Sequence, residues 1–374
     1  MPNARRLWRR ALMVVLALVA LQLGSLVAPA YACGCGAMVP QSGRQLSVKQ
    51  ETSAVRWDGR SEQIVMRLTV DGNAPRAAWI MPVPSRATVR LGDRRLFDEL
   101  ESLSAPVHRT RSYFWPQGGD WPFTNDRSVG DGAPRAGATP PVEVVGRERL
   151  GPFDVARLTA TDPTALRDWL AHNGFQLPPA LATELRPYVE QKWEYVAIRL
   201  APEQPGQTLG GPLDPLSLTF ASDRLVYPMR LSRLAKTPQT LNLYVLADHR
   251  MRTASTIGGA PPDTLFAGTI AHPLGALGEL TGRDKPVYLT ALTQFFGTPS
   301  QITGDHELDR AGDDTPFQRA WYTNELLMVG GVPAWLLAVG GMLLVLAVAV
   351  AVTVIIRTRL RRRPVARSGW GAPS

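Results

Sequence analysis

Two cysteines, Cys33 and Cys35, are separated only by Gly34. They are the chain's whole thiol inventory. In an oxidising compartment such a pair forms a small bridge, which Gly34 relaxes. It closes almost no chain and would add little stability. The same pair is also a thiol-redox candidate. The densest group of carboxylates and imidazole is Asp305, His306, Glu307 and Asp309, followed by Asp313 and Asp314. Carboxylates of this kind suit calcium, but the spacing is not that of an EF-hand and Gly312 is misplaced for one. The cluster therefore reads as a solvated loop near the membrane, and neither a metal nor a cofactor is assigned. Asp248-His249-Arg250 follows an expected strand, a position where an acid–base pair can act. The other histidines, His108, His172 and His272, are scattered. The motifs of the serine-hydrolase elbow, the zinc helix and the phosphate-binding loop do not occur.

Aromatic side chains offer a different chemistry. Tyr113, Phe114, Trp115, Trp121 and Phe123 crowd the start of a segment, 111–141, in which ten of 31 residues are Gly or Pro. Flat apolar rings stack on sugars or fill partner pockets, and Arg109 and Arg111 stand beside them for acidic groups. The competing reading is that the rings pin a long loop to the core.

The ends of the chain determine how its charge is read. Arg5, Arg6, Arg9 and Arg10 precede an uncharged, mostly apolar stretch, and Ala30-Tyr31-Ala32 then offers a cleavage site. This is the pattern of a secretion signal over residues 1–32. Tyr31 makes lipid attachment at Cys33 a poorer reading. Residues 326–356 carry no charge, and 332–356 is long enough for a membrane helix. Six arginines follow within the tail 357–374. The positive-inside rule then places the tail in the cytoplasm and the bulk of the chain outside the plasma membrane, as a single-pass protein. Ten of the 41 basic residues sit in the signal and the tail, so the stretch between carries 31 against 32 acidic residues, a net of −1. The high isoelectric point reports topology, and nucleic acid is not an expected partner. The expected partners are the lipid bilayer and an envelope protein or wall glycan.

The outer part reads as α+β, mainly antiparallel sheet with a few short helices. Residues 33–110 form an N-terminal β-rich unit, with strands at 46–57, 64–70 and 77–81 read as a meander around the Asp58-Gly59 and Asp71-Gly72 turns. A helix capped by Asp93 follows, burying Leu96, Phe97, Leu100 and Leu103. A second α+β unit spans 142–325. It has strands at 142–145, 153–158, 193–200, 216–220, 225–229 and 241–247. Helices are expected from Asp162-Pro163 to Asn173-Gly174, over 179–186 with Pro187 breaking or kinking it, and over 289–296. The pattern Leu68-Thr-Val, polar turn, Trp79-Ile-Met-Pro is echoed by Leu218-Thr-Phe, polar turn, Val226-Tyr-Pro-Met, as two hairpins.

Several segments carry a resemblance. Ala32-Cys33-Gly34, Trp79-Ile-Met-Pro-Val-Pro84, Leu96-Phe-Asp-Glu-Leu100, Gly151-Pro-Phe-Asp-Val155, Trp169-Leu-Ala-His-Asn-Gly174, Tyr195-Val-Ala-Ile198, Leu225-Val-Tyr-Pro-Met-Arg230 and Leu243-Tyr-Val-Leu-Ala-Asp248 occur in this order. Together they resemble a bacterial exported family known only as a domain of unknown function. The resemblance implies export and brings no activity, cofactor or catalytic residue. Three functions remain: a non-enzymatic surface recognition module, a hydrolase of wall polymer or peptide, and a thiol-redox protein.

Overall fold

The computed structural model describes residues 35–118, 120, 153–158, 163–202, 204, 206–283 and 285–361. Cys33, Trp121, Phe123, the expected signal, the expected 142–145 strand and most of the basic tail lie outside them. The chain divides into two compact units, one of Met1–Pro106 with Val144–Arg319, the other of Val107–Glu143 with Ala320–Ser374.

The first unit is α+β and layered. A four-stranded sheet runs in the order β1 (Ala37–Pro40), β4 (Ala77–Val83), β8 (Glu194–Leu200), β7 (Phe153–Leu158). A larger sheet runs β17 (Phe317–Gln318), β14 (Asp263–Ile270), β15 (Val287–Phe296), β12 (Gln239–Ala247), β2 (Leu46–Trp57), β3 (Ser61–Gly72), β10 (Leu216–Ala221), β5 (Thr88–Leu91), with β9 (Gly211–Pro212) beside β3. All pairings in these sheets are antiparallel except β2 with β12. Side chains from one face of each sheet, among them Met38, Trp79, Met81, Ile198, Ile64, Met66, Leu218, Leu243 and Val245, form a common core. The outer face of the small sheet is covered by α2 (Pro163–His172) and α3 (Pro179–Glu190) through Leu166, Leu170, Leu181, Leu185 and Tyr188. The outer face of the large sheet is covered by α1 (Arg95–Ser104) and α4 (Gly275–Thr281) through Leu96, Phe97, Leu100, Ala276 and Leu277. A small third sheet, β11 (Leu225–Tyr227), β16 (His306–Arg310), β13 (Met251–Thr253), completes the unit.

Local chemistry explains most of these elements. Asp58 Oδ1 accepts the amides of Arg60 and Ser61 and closes the β2–β3 hairpin. Asp93 Oδ1 accepts the Arg95 amide at the start of α1. Gly174 ends α2 at φ +80°, a backbone region open to glycine. Several expectations are corrected. β4 does not continue a meander: it leaves β3 for the other sheet, where it pairs with β1 and β8 and buries all seven residues. Neither echoed segment is a hairpin, since β10 pairs with β3 and β11 pairs with β16. The helix from Pro179 runs through Pro187 to Glu190. Residues 289–296 are strand, not helix: Val287–Phe296 lies between β12 and β14, and burial on both faces removes the alternation that marks a strand. The boundary expected near residue 141 does not separate two cores, because β4 pairs with β8 and β3 with β10.

The second unit holds the only parallel ribbon among the described residues outside the large sheet, β6 (Val107–Tyr113) with β18 (Ala320–Leu326). Residues 111–113 of the expected loop are therefore strand. A short hairpin, β19 (Met328–Val329) with β20 (Val332–Pro333), leads into α5 (Ala334–Arg361). At 28 residues α5 is roughly 42 Å long, enough to cross a bilayer by length and composition.

Candidate functional site

The inward face of β2 carries an unusual load. Lys49 is an extra residue between Val48 and Gln50, a bulge in the pairing with β3. The bulge changes which residues point inward. Leu46 and Val48 face the core before it; Glu51, Ser53 and Val55 face it afterwards. Glu51 is completely buried there.

Its carboxylate collects donors from three segments. The Cys35 amide lies 2.8 Å from Oε2 and 3.1 Å from Oε1. The Tyr227 hydroxyl bonds to Oε1, and the Ser53 hydroxyl lies 2.6 Å from that of Tyr227. Burial pushes the Glu51 carboxyl above its ordinary range, while Tyr227, Cys35 and Ser53 pull it back. Burial, then neighbouring negative charge, holds the Tyr227 phenol protonated far above its usual range. A donor chain of Ser53 to Tyr227 to Glu51 satisfies every group. The Cys35 sulfur packs 3.5 Å from Met66 Sδ and 3.9 Å from Met81 Sδ. Gly36 is required next to it: a Cβ there would lie 2.5 Å from the Ile80 carbonyl and 2.7 Å from Trp79 Nε1. Gly36→Ala is expected to cost about 2 kcal/mol in denaturant unfolding, because neither backbone nor the buried indole can move aside.

Asp305 organises a second polar node. Its Oδ1 accepts the Tyr188 hydroxyl at 2.6 Å and the amides of Met229 and Arg230 at 2.8 and 2.9 Å. The Asp305–Asp309 cluster, read from the sequence as a solvated loop, is thus dispersed. His306 is buried in β16, Glu307 pairs with Arg224, and residues 306–310 are strand rather than loop. Among the described residues no group of three or more His, Cys, Asp and Glu is placed to hold a metal. His306 Nε2 bonds to Gln294 Oε1 at 2.8 Å, while Gln294 Nε2 donates to the Ile257 and Ala260 carbonyls. That makes Nε2 the donor, a role that both the neutral and the charged ring can fill. Burial lowers its pKa to about 4. The unfolded chain takes up this proton near pH 6.5 and the folded chain near pH 4, so stability is lost as pH falls through that window. The full loss is about 3 kcal/mol, of which about 2 kcal/mol falls between pH 7 and pH 5, and His306→Met is expected to remove that difference when unfolding at the two pH values is compared.

Two of the clefts that open to solvent among the described residues carry both apolar and charged lining. One, of about 540 Å³, lies between α2 and α3 over Tyr195. Leu166, Leu177, Pro179 and Val189 give it apolar walls, and Arg167, Arg186 and Glu190 supply charge. The other, of about 390 Å³, is lined by Trp57, Leu225, Met251, Asp248 and His249 among others. His249 Nδ1 is 2.8 Å from Asp314 Oδ2, and Asp314 Oδ1 accepts the Arg250 amide. His249 first, then the Arg250 amide, hold the Asp314 carboxyl below its ordinary range. The sequence had placed Asp248 beside His249; the structure pairs the ring with Asp314.

The remaining candidates are separate. His172 bonds to the Asp168 carbonyl within α2, and His108 and His272 are exposed. Tyr113, Phe114, Trp115, Arg109 and Arg111 belong to the second unit. Tyr113 donates to Asp120, Phe114 and Trp115 meet edge to face at 5.2 Å, and Arg111 stacks on Tyr322 at 5.1 Å. The expected Cys33–Cys35 bridge involves a residue outside those described.

The nodes around Glu51 and Asp305 are built from the segments that carried the resemblance: Cys35 adjoins Ala32-Cys33-Gly34, Trp79 and Met81 lie in the Trp-x-x-Pro run, and Tyr227, Met229 and Arg230 form one motif. A family described as an uncharacterized protein conserved in bacteria, DUF2330, matches residues 29–309. The chain belongs to this family. The DUF2330 match spans both polar nodes. No curated protein matches the chain. Among solved structures, baculovirus P35 is similar at 9% identity over 74% of this chain and 97% of its own, with a TM-score of 0.30. The caspase-8/P35 complex is similar at 7% identity over 72% and 96%, with a TM-score of 0.25. At these scores neither likeness carries an argument for this DUF2330 chain.

Proposed function

We propose that this protein is an exported, single-pass membrane module that recognises a ligand on the outer side of the plasma membrane. In this reading residues 1–32 are removed on export, α5 spans the bilayer, and the arginine-rich tail stays in the cytoplasm. The observation that carries it is the division of chemistry within the first unit. The buried Glu51, Tyr227 and Ser53 satisfy one another, while the 540 Å³ cleft offers apolar walls with arginines beside them. Such a cleft has the size and lining of a binding site. Its chemistry suits an apolar segment with an acidic end, whether from an envelope protein or another envelope component.

The test uses the full chain in lipid nanodiscs and a fluorescent acidic peptide rich in leucine, with empty nanodiscs as the blank. Saturable binding is expected, weakened about tenfold by Arg167→Ala with Arg186→Ala, as loss of charge-assisted contacts implies. Binding indifferent to both substitutions would remove the cleft from the reading.

A second reading is a hydrolase in which Asp314 orients His249 to activate water in the 390 Å³ cleft. The 2.8 Å contact and the cleft favour it. Hydrolysis of wall fragments or peptides that disappears in His249→Ala would establish it.

A further inference from the structure

The second unit shows where the aromatic cluster sits along the path to α5. β6 and β18 run parallel, pairing Val107 with Ala320 at one end and Tyr113 with Leu326 at the other. The Leu327 amide then donates to the Tyr113 carbonyl, and the Ala334 amide, at the first residue of α5, donates to the Leu327 carbonyl. Two consecutive hydrogen bonds thus tie the end of β6 to the start of the apolar helix. Phe114 and Trp115 follow Tyr113 directly, at that level. So does the hairpin of Met328, Val329 and Val332. These side chains are exposed, Trp115 at 64%, Met328 at 51% and Val329 at 53%. No charged residue occurs between Glu325 and Arg357.

We propose that Phe114, Trp115 and the Met328–Val332 hairpin form a collar bedded in the head-group layer of the bilayer that α5 crosses. The proposal rests on the reading of α5 as a membrane span. Indole rings favour this layer because one edge is apolar and the other donates a hydrogen bond. Arg111 and Arg109 stand two and four residues back along β6, roughly 7 and 13 Å from Tyr113, and Arg111 stacks there on Tyr322, away from the collar. Trp321 and Tyr322 lie at the far end of the ribbon, more than about 10 Å from Leu326 along β18, and stay in water. A two-stranded ribbon is marginal by itself in water, and the collar gives it a surface to rest on. Phe114 and Trp115 are therefore a lipid contact rather than part of a glycan or protein pocket.

The experiment compares tryptophan emission of the full chain in nanodiscs whose lipids are brominated just below the ester linkage. Wild type, Trp115→Phe and Trp321→Phe are measured, together with quenching by aqueous iodide. Bromolipid is expected to quench Trp115 along with Trp335 of α5, so Trp115→Phe should lower the quenchable emission and Trp321→Phe should leave it unchanged. Iodide should show the reverse. An unchanged bromolipid share in Trp115→Phe, or protection of Trp115 only when soluble wall fragments are added, overturns the collar. Sodium carbonate extraction separates the two readings. A protein that stays in the membrane while Trp115 remains unquenched loses the collar alone, and a protein stripped off loses both.

Discussion

Asp305→Ala is expected to cost about 5 kcal/mol, a large part of the stability of a domain this size. One carboxylate oxygen receives the Tyr188 hydroxyl and two successive amides, those of Met229 and Arg230. Hydrogen bonds to a charged acceptor contribute about 1.5–3 kcal/mol each, and removing the acceptor leaves all three donors stranded. The consequence is more than local. Tyr188 belongs to α3, and Met229 and Arg230 follow β11, so one side chain joins the helical layer to the third sheet. Urea unfolding of the full chain in detergent measures the loss, with near-ultraviolet dichroism reporting the packing of Tyr188 against Trp193. Asp305→Asn keeps an acceptor without its charge and should lose less than half as much. If Asp305→Ala unfolds within about 1 kcal/mol of wild type, the node is ornament and water replaces it.

Much of this architecture was legible in the sequence where a local signal stands alone. The hairpin turn at Asp58-Gly59, the start of α1 at Asp93, the glycine stop of α2 and the apolar run of α5 all depend on neighbours in the chain, and all are found. The signals failed where tertiary burial sets the pattern. β15 is apolar on both faces, so periodicity cannot separate it from a buried helix. Pro187 lies inside α3, late enough to leave the helix running to Glu190. The assignment of strands to sheets was hidden too, because β4 leaves its sequence neighbour to pair with β8, more than a hundred residues away.

The site suffered from the same blindness. Glu51 sits in the polar run Lys49-Gln50-Glu51-Thr52-Ser53, which reads as a solvated stretch of strand. Only the bulge at Lys49 turns Glu51 and Ser53 inward, and nothing in the side-chain pattern announces it. His306 and Asp305 were conspicuous as part of an acidic cluster, yet their neighbours disperse them. The motif Val226-Tyr-Pro-Met-Arg230 carries part of the resemblance, and its physical reason is that its tyrosine and backbone amides serve the two polar nodes.

Two buried glutamates on the same face of adjoining strands should respond in opposite ways. Glu51→Leu is expected to cost about 4 kcal/mol, because the Cys35 amide and the Tyr227 hydroxyl lose their acceptor in a site closed to water. It should also loosen the chain just after the expected cleavage site, seen as faster amide exchange at Cys35 and Gly36. Glu62 is equally buried, but only the Val226 amide reaches it, at 3.3 Å, and Oε1 has no partner. Burial raises its pKa well above the ordinary range, so the folded chain holds a proton that the unfolded chain releases. Its contribution is present in full below the unfolded pKa near 4.5 and is lost as pH rises towards the folded value. Glu62→Met fills the same space without the carboxyl, and at pH 7 it should gain about 1 kcal/mol. The gain should shrink at pH 5, where the wild-type penalty has partly gone. Equal losses from the two substitutions would mean that burial alone, rather than the partners of each carboxyl, decides what a buried glutamate does in this fold.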